Sequence, residues 1–286
     1  MMSRLLSLGL ASVLAAVVLL TGSIGTVPSV RAVSPAYDKE ILWFRHCLAW
    51  ERTTTPNTAC VYGDRTSNRV IALVGDSHAS HLFPAVDRIA RAHGWKLVVM
   101  VKVSCGFADM RIRNLALGRE YTECARWNRA VVRRLGVLRP ALTVVAMSRR
   151  ALHAVRWVDR TRTAKGLAVG RMIERVPGRV AIIVDAPYAG RNVPRCIARY
   201  GARRCAIPRT TALSYGLGTI ERVAVAHSHA RSINLTSATC ATWPCPVRVR
   251  GITVFRDREH FTATFARSVL GAPGGVLDRA LVLRMP

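Results

Sequence analysis

Residues 69–84 read RVIALVGDSHASHLFP. The run from Arg69 to Val74 is short, apolar and rich in β-branched residues, the pattern of a buried strand. Gly75 permits a tight turn, and beyond it the period changes. Leu82, Val86, Ile89 and Ala90 fall on one face of a helix within residues 81–93. The same alternation continues down the chain. Residues 96–103 (KLVVMVKV) read as a second strand, and residues 123–138 as an amphipathic helix that Pro140 ends. Residues 141–147 (ALTVVAM) and 179–185 (RVAIIVD) read as a third and a fourth strand. Residues 211–229 predict a helix, residues 232–235 a short fifth strand, and the last helix begins near Phe261. Strands alternating with helices predict βαβ units. The expected fold is a single three-layer α/β/α domain around a mostly parallel five-stranded sheet. In such sheets ligands sit beyond the carboxyl ends of the strands.

The rest of the chain frames that domain, expected over residues 68–286. Residues 1–20, MMSRLLSLGLASVLAAVVLL, carry one positive charge at Arg4 and then an apolar run. Val30-Arg31-Ala32 offers the small residues that a signal peptidase favours. The uncharged run from Leu5 to Val27 is also long enough to span a bilayer once. Residues 1–32 are therefore read as a signal peptide or a single N-terminal anchor, and the protein as exported. No other stretch is long and uncharged, which excludes a polytopic membrane protein. Half of the chain is hydrophobic and 21% charged, which excludes a disordered chain. The formal charge is +27, carried far more by Arg than by Lys. The arginines are spread along the chain and no nucleic-acid motif accompanies them, so a nucleic-acid partner is not expected.

All eight cysteines lie beyond the leader: Cys47, Cys60, Cys105, Cys124, Cys196, Cys205, Cys240 and Cys245. An even number in an exported chain points to disulfides. Sequential pairing is the simplest of the 105 connectivities. Residues 33–67 then form a polar extension holding the first pair. No CxxC spacing suggests zinc, and no cofactor or metal is expected.

Two short motifs carry the chemistry. Gly75-Asp76-Ser77 follows the first strand and displays Ser77 at the start of the next helix. Backbone N–H groups at such a helix start can hold an oxyanion. A Ser hydroxyl needs a base to act as a nucleophile. Near the other end, Asp257-Arg-Glu-His260 spaces a carboxylate and an imidazole across one turn. There the Asp can accept from Nδ1–H and leave Nε2 free to take a proton from Ser77. Each motif alone also has an ordinary reading, a helix cap in the first case and a surface salt bridge in the second.

Taken with their order in the chain, these residues resemble the SGNH (GDSL-like) hydrolase superfamily. The likeness is greatest to the SGNH domain of acyltransferase-3 type O-acetyltransferases. The stretches that carry it are residues 74–84 (VGDSHASHLFP), 102–105 (KVSC), 185–188 (DAPY) with Cys196, and 245–247 (CPV) leading to 256–262 (RDREHFT). The resemblance implies a flavodoxin-like three-layer fold and acyl-ester chemistry on a carbohydrate hydroxyl. It assigns Ser77 as nucleophile, His260 as base and Asp257 as the residue that orients it. It places the Ser77 N–H in an oxyanion hole with a Gly after the second strand, for which Gly106 stands. The superfamily adds an Asn after the third strand. Here Met147-Ser-Arg-Arg150 has no Gly-x-Asn, which leaves Ser148 or Arg149 as the donor.

Two functions follow. The first is an exported O-acyltransferase or O-acyl esterase acting on cell-envelope polysaccharide or another envelope glycan. An integral-membrane acyltransferase or a soluble ester would supply the acyl group. The second, favoured by the absent Gly-x-Asn, is a catalytically weak SGNH-fold protein that binds such a glycan. Of the remaining residues, Asp185 at the end of the fourth strand can bind a sugar hydroxyl or bond the loop toward Cys196, with the loop favoured, and Trp127 is expected to lie in the core. His78 and His81 can serve the site or simply pack, and Trp243 can stack on a sugar or pack on a disulfide.

Overall fold

The computed structural model describes residues 34–286. The expected leader lies outside the described residues. One seven-stranded sheet organises the chain. Its strands are β1 (Leu48–Ala49), β2 (Val61–Gly63), β3 (Val70–Gly75), β4 (Lys96–Lys102), β7 (Leu142–Ala146), β8 (Val180–Ile183) and β9 (Arg231–Ile233). A separate small hairpin, β5 (Arg113–Asn114) with β6 (Arg119–Glu120), lies between β4 and the next helix. The five strands expected from the sequence run parallel in the order β4-β3-β7-β8-β9. That is the flavodoxin-like order, and its switch point lies between β3 and β7. The sheet is wider than expected because residues 33–67 add two strands to its edge. β1 pairs parallel and β2 antiparallel with β4.

The helices are α1 (Ser77–Ala92), α2 (Thr122–Leu138), α3 (Arg162–Ile173), α4 (Val193–Arg204), α5 (Arg209–Ala212) and α6 (Thr219–Ala226), followed by short C-terminal helices. Side chains alternate across the sheet, and both faces are covered. Ile71 and Leu73 pack with Leu82, Val86 and Ile89 of α1. Ala72 and Val74 face the other layer, with Trp127, Val131 and Leu135 of α2 and Val169 and Ile173 of α3. Each such Val, Leu or Ile side chain, fully buried, contributes about 1.5–3 kcal/mol. Trp127 is in the core, as expected.

Two elements differ from the sequence reading. The single helix expected over residues 211–229 is two short ones, because Tyr215, Gly216 and Gly218 between them have positive φ. A right-handed helix cannot pass through that backbone. The last helix begins at Ala263, near Phe261 as expected, but passes into a π-helical turn at Ala266–Leu270. Four disulfides join Cys47–Cys60, Cys105–Cys124, Cys196–Cys205 and Cys240–Cys245. Among the described residues no helix is long and apolar enough to cross a membrane.

Candidate active site

Gly75 ends β3 at φ +144°, where a Cβ would lie 1.7 Å from the Ala146 carbonyl oxygen of β7. Only glycine lets the two strand ends approach so closely. The chain then turns into α1 with Asp76 as N-cap, its carboxylate accepting from the His78 N–H at 2.8 Å. The cap therefore belongs to Asp76. Ser77 becomes the first residue of the helix, where its N–H has no intrahelical acceptor.

The hydroxyl of Ser77 lies 2.9 Å from Nε2 of His260. Nδ1 of His260 lies 2.8 Å from Oδ2 of Asp257. The other Asp257 oxygen accepts from the N–H groups of Glu259 and His260, each at 2.8 Å. Burial alone would raise the Asp257 carboxyl. The hydrogen bond and charge of His260, with the two N–H groups, outweigh it and hold the acid well below the usual carboxylate range. The turn is anchored from behind. Buried Arg256 pairs with Glu40 at 2.5 Å, and Glu40 also accepts from Trp43 at 2.7 Å and from Ser80 of α1. The extension thus ties the two halves of the site together.

A second buried network stands beside the first. Nδ1 of His78 lies 2.5 Å from Oδ1 of Asp185, and Oδ2 accepts from the backbone N–H and the guanidinium of Arg149 at 2.9 and 3.0 Å. Oδ1 also accepts from the Ala186 N–H at the start of the loop at 2.7 Å, so Asp185 holds that loop and in addition joins His78 to Arg149. It is buried at the end of β8 because His78 and Arg149 satisfy its carboxylate there. Burial opposes charge on His78, but Asp185 overcomes it, with help from Asp76 and Glu259, and pushes the ring up to about 9. His81, one turn along α1, has no carboxylate partner. Burial, then the charges of His78, His260 and Arg256, push it well below the ordinary imidazole value. Both histidines are packed, with ring centroids 4.7 Å apart.

An open cleft borders Ser77 and His260, walled by Ser104, Arg113, Asn114, Ser148, Arg150 and Glu259 among others. Arg150 pairs with Glu259 at 2.6 Å and lies against the rings of Tyr188 and Tyr215. The donors expected for an oxyanion hole are placed unevenly. Gly106 does not line the cleft. It lies under Leu152, and Ser104, at φ +51°, takes the wall position. Ser148 lines the cleft, but its N–H is bound to Asp76 at 2.9 Å, leaving only the hydroxyl to donate. The N–H of Arg149 goes to Asp185. Trp243 is 41% exposed and is not part of the cleft wall. Among the described residues no cluster of three or more His, Cys, Asp or Glu side chains is placed to hold a metal ion.

A flavodoxin-like sheet with a Gly-Asp-Ser turn at its switch point, facing an Asp-x-x-His turn, defines an SGNH domain. The family described as "SGNH domain (fused to AT3 domains)" matches residues 46–272, and the chain belongs to it. A solved structure described as a Salmonella ser. Paratyphi A lipopolysaccharide acetyltransferase periplasmic domain superposes with a TM-score of 0.57 at 16% sequence identity. The match covers 87% of this chain and 99% of that one, and it shows the common fold. No curated protein matches the chain in sequence.

Proposed function

We propose that the protein is an exported serine O-acyltransferase or O-acyl esterase of cell-envelope carbohydrate, with Ser77, His260 and Asp257 as its triad. One observation carries the reading: Ser77 Oγ, the His260 ring and Asp257 form a continuous hydrogen-bonded line of 2.9 and 2.8 Å at the mouth of a cleft. In the first half-reaction Ser77 Oγ bonds to the ester carbonyl carbon while its proton passes to His260 Nε2. The carbonyl electron pair moves to oxygen. When it returns, the ester C–O bond breaks, and the leaving oxygen takes the proton from His260. In the second half a sugar hydroxyl or water attacks the acyl-enzyme, and His260 again carries the proton. Asp257, held ionised, fixes the ring tautomer and stabilises the transient imidazolium.

Membership of a family described as fused to AT3 domains, and a structural neighbour described as a lipopolysaccharide acetyltransferase domain, support a carbohydrate acceptor. They also support a membrane acyltransferase as the source of the acyl group. The four disulfides support an extracytoplasmic site of action. A catalytically weak glycan-binding protein is the second reading. Its support is that the backbone donors of residues 148 and 149 are already committed to carboxylates. A fluorophosphonate probe separates the two. The enzyme should be labelled on Ser77, and p-nitrophenyl acetate should release p-nitrophenol, faster in the presence of an accepting sugar. A chain that neither labels nor turns over leaves the binding reading.

A further inference from the structure

We infer that an arginine-lined recess beside the catalytic cleft and the cleft itself form one track for an anionic acceptor glycan; this rests on the acyl-transfer reading above. The arginines would hold phosphate or carboxylate groups of the glycan while one of its hydroxyls reaches Ser77. The recess, of about 350 Å³, is walled by Arg111, Arg129, Arg156, Arg171 and Arg175. Against these five stand Asp109 and Asp159. Asp109 pairs with Arg175 at 2.8 Å and lies 3.6 Å from Arg171. Glu120 takes Arg111. Arg129, on α2, and Arg156 are exposed and make no ion pair among the described residues. Their guanidinium groups are free to meet a ligand. Guanidinium matches phosphate and carboxylate with two parallel hydrogen bonds. A concave surface lined by one sign of charge also concentrates the field.

In a chain of net charge +27, arginines alone do not make a site. What sets these apart is where the backbone puts them. Residues 111–113 pair antiparallel with residues 153–155. The Arg113 N–H donates to the His153 carbonyl at 2.7 Å and the Val155 N–H to the Arg111 carbonyl at 3.0 Å, with Ile112 opposite Ala154. Ile112 is buried, so Arg111 and Arg113 lie on the opposite, open face, about 7 Å apart along the chain. Arg111 stands in the recess, and Arg113 in the cleft that holds Ser77 and His260. The partner segment repeats this, with His153 in the cleft and Arg156 in the recess. One two-stranded wall thus lines both concavities, and the Cys105–Cys124 disulfide closes the loop that carries half of it. The acids of the cleft are already taken, Asp76 by backbone N–H groups and Glu259 by Arg150 at 2.6 Å. The Arg113 guanidinium bonds the Gly118 carbonyl and makes no ion pair among the described residues, so its charge faces the cleft uncompensated.

The double variant Arg129→Gln/Arg156→Gln tests this, because neither side chain is tied to another. Fluorescence anisotropy with a labelled polygalacturonate decamer should show binding to the wild type. The double variant should bind about tenfold or more weakly, the scale of one or two lost charge-assisted hydrogen bonds. Its binding should also depend less on salt, while the thermal melt stays close to wild type. Phosphomannan should displace the decamer and neutral dextran should not. Whether phosphomannan or unlabelled polygalacturonate displaces it at the lower concentration tells phosphate from carboxylate as the preferred charge. Saturating decamer should slow fluorophosphonate labelling of Ser77. Binding by the double variant within about twofold of wild type overturns the inference, as does displacement by dextran. Ser77 labelling that is not slowed at saturation overturns it too, since the glycan would then lie apart from the cleft. That measurement needs no variant, so it decides even if the double variant does not fold. Wild-type protein that labels and turns over p-nitrophenyl acetate but does not bind the decamer overturns the track alone. Wild-type protein that binds the decamer but neither labels nor turns over overturns the acyl-transfer reading and the acceptor role with it.

Discussion

Asp76, not Ser77, caps α1, so Ser77 can be altered without touching the cap. Ser77→Ala should therefore melt within a few degrees of wild type and still lose esterase turnover, because no acyl-enzyme can form. Asp257→Asn should lose turnover on the order of 10³–10⁴-fold, as the ring loses both its tautomer and its counter-charge. The double variant should be little worse than Ser77→Ala, since the residues act as one unit. Losses that multiply in the double variant, measured on p-nitrophenyl acetate, would mean that the two side chains act separately. The meeting of these three side chains was legible because each motif is compact: a strand, a glycine, then Ser77, and two partners three positions apart. The second network was not legible. His78 and Asp185 are 107 positions apart, and nothing local marks a strand-ending Asp as the partner of a buried imidazole. Glu40 and Arg256 are 216 apart, and each reads as an ordinary surface charge until the fold joins them.

Period carried the reading of the elements, and where period fails the elements disappear. The parallel strands and α1 have clean apolar patterns and lie where the pattern puts them. α3, with the sequence RTAKGLAVGRMI, has no such pattern and does not stand out in the sequence. Its helix contact is made by glycines, which read as loop. A Cβ on Gly166 would lie 2.5 Å from Val223 Cβ and 2.8 Å from the Ile220 carbonyl of α6. The two helices touch there backbone to side chain, and the absence of a side chain at Gly166 is what buries α6. Gly166→Ala should thus force α6 outward at a cost of about 1–3 kcal/mol. Alanine's better helix propensity returns only about 1 kcal/mol of that. Gly136 in α2 is the control, since a Cβ there meets nothing within 4 Å. Gly136→Ala should stabilise by about 0.5–1 kcal/mol. Urea denaturation midpoints of opposite sign for the two variants are expected. A Gly166→Ala midpoint at or above wild type would mean that α3 and α6 are not packed this closely.

Across the whole molecule, the buried histidines set how stability follows pH. His78 binds its proton more tightly in the folded chain, at about 9 against 6.5 unfolded. Its contribution is complete below pH 6.5 and is lost as pH rises through about 9. His81 is the reverse. Folding holds it neutral, so its contribution is present above 6.5 and fades as pH falls and the unfolded chain takes up a proton that the folded chain refuses. Asp185 and Asp257, both held low, add to the acid limb, because protonating them breaks their bonds to His78 and His260. The melting temperature should therefore peak near pH 6.5–7 and fall on both sides. Lys102 limits the window on the alkaline side. Burial, against the pull of Glu51 and Glu123, lowers it to about 8, and above that value its deprotonation favours the folded state and opposes the His78 loss. The informative interval is thus pH 6.5–8, at fixed ionic strength so that screening of the +27 charge stays constant. There His78→Gln should flatten the fall, while His81→Gln should leave it intact and remove only part of the acid limb. A wild-type melting temperature that rises across the interval, followed by calorimetry, would mean that His78 is not charged in the folded protein. The Asp185 carboxylate would then have Arg149 as its one cationic partner among the described residues.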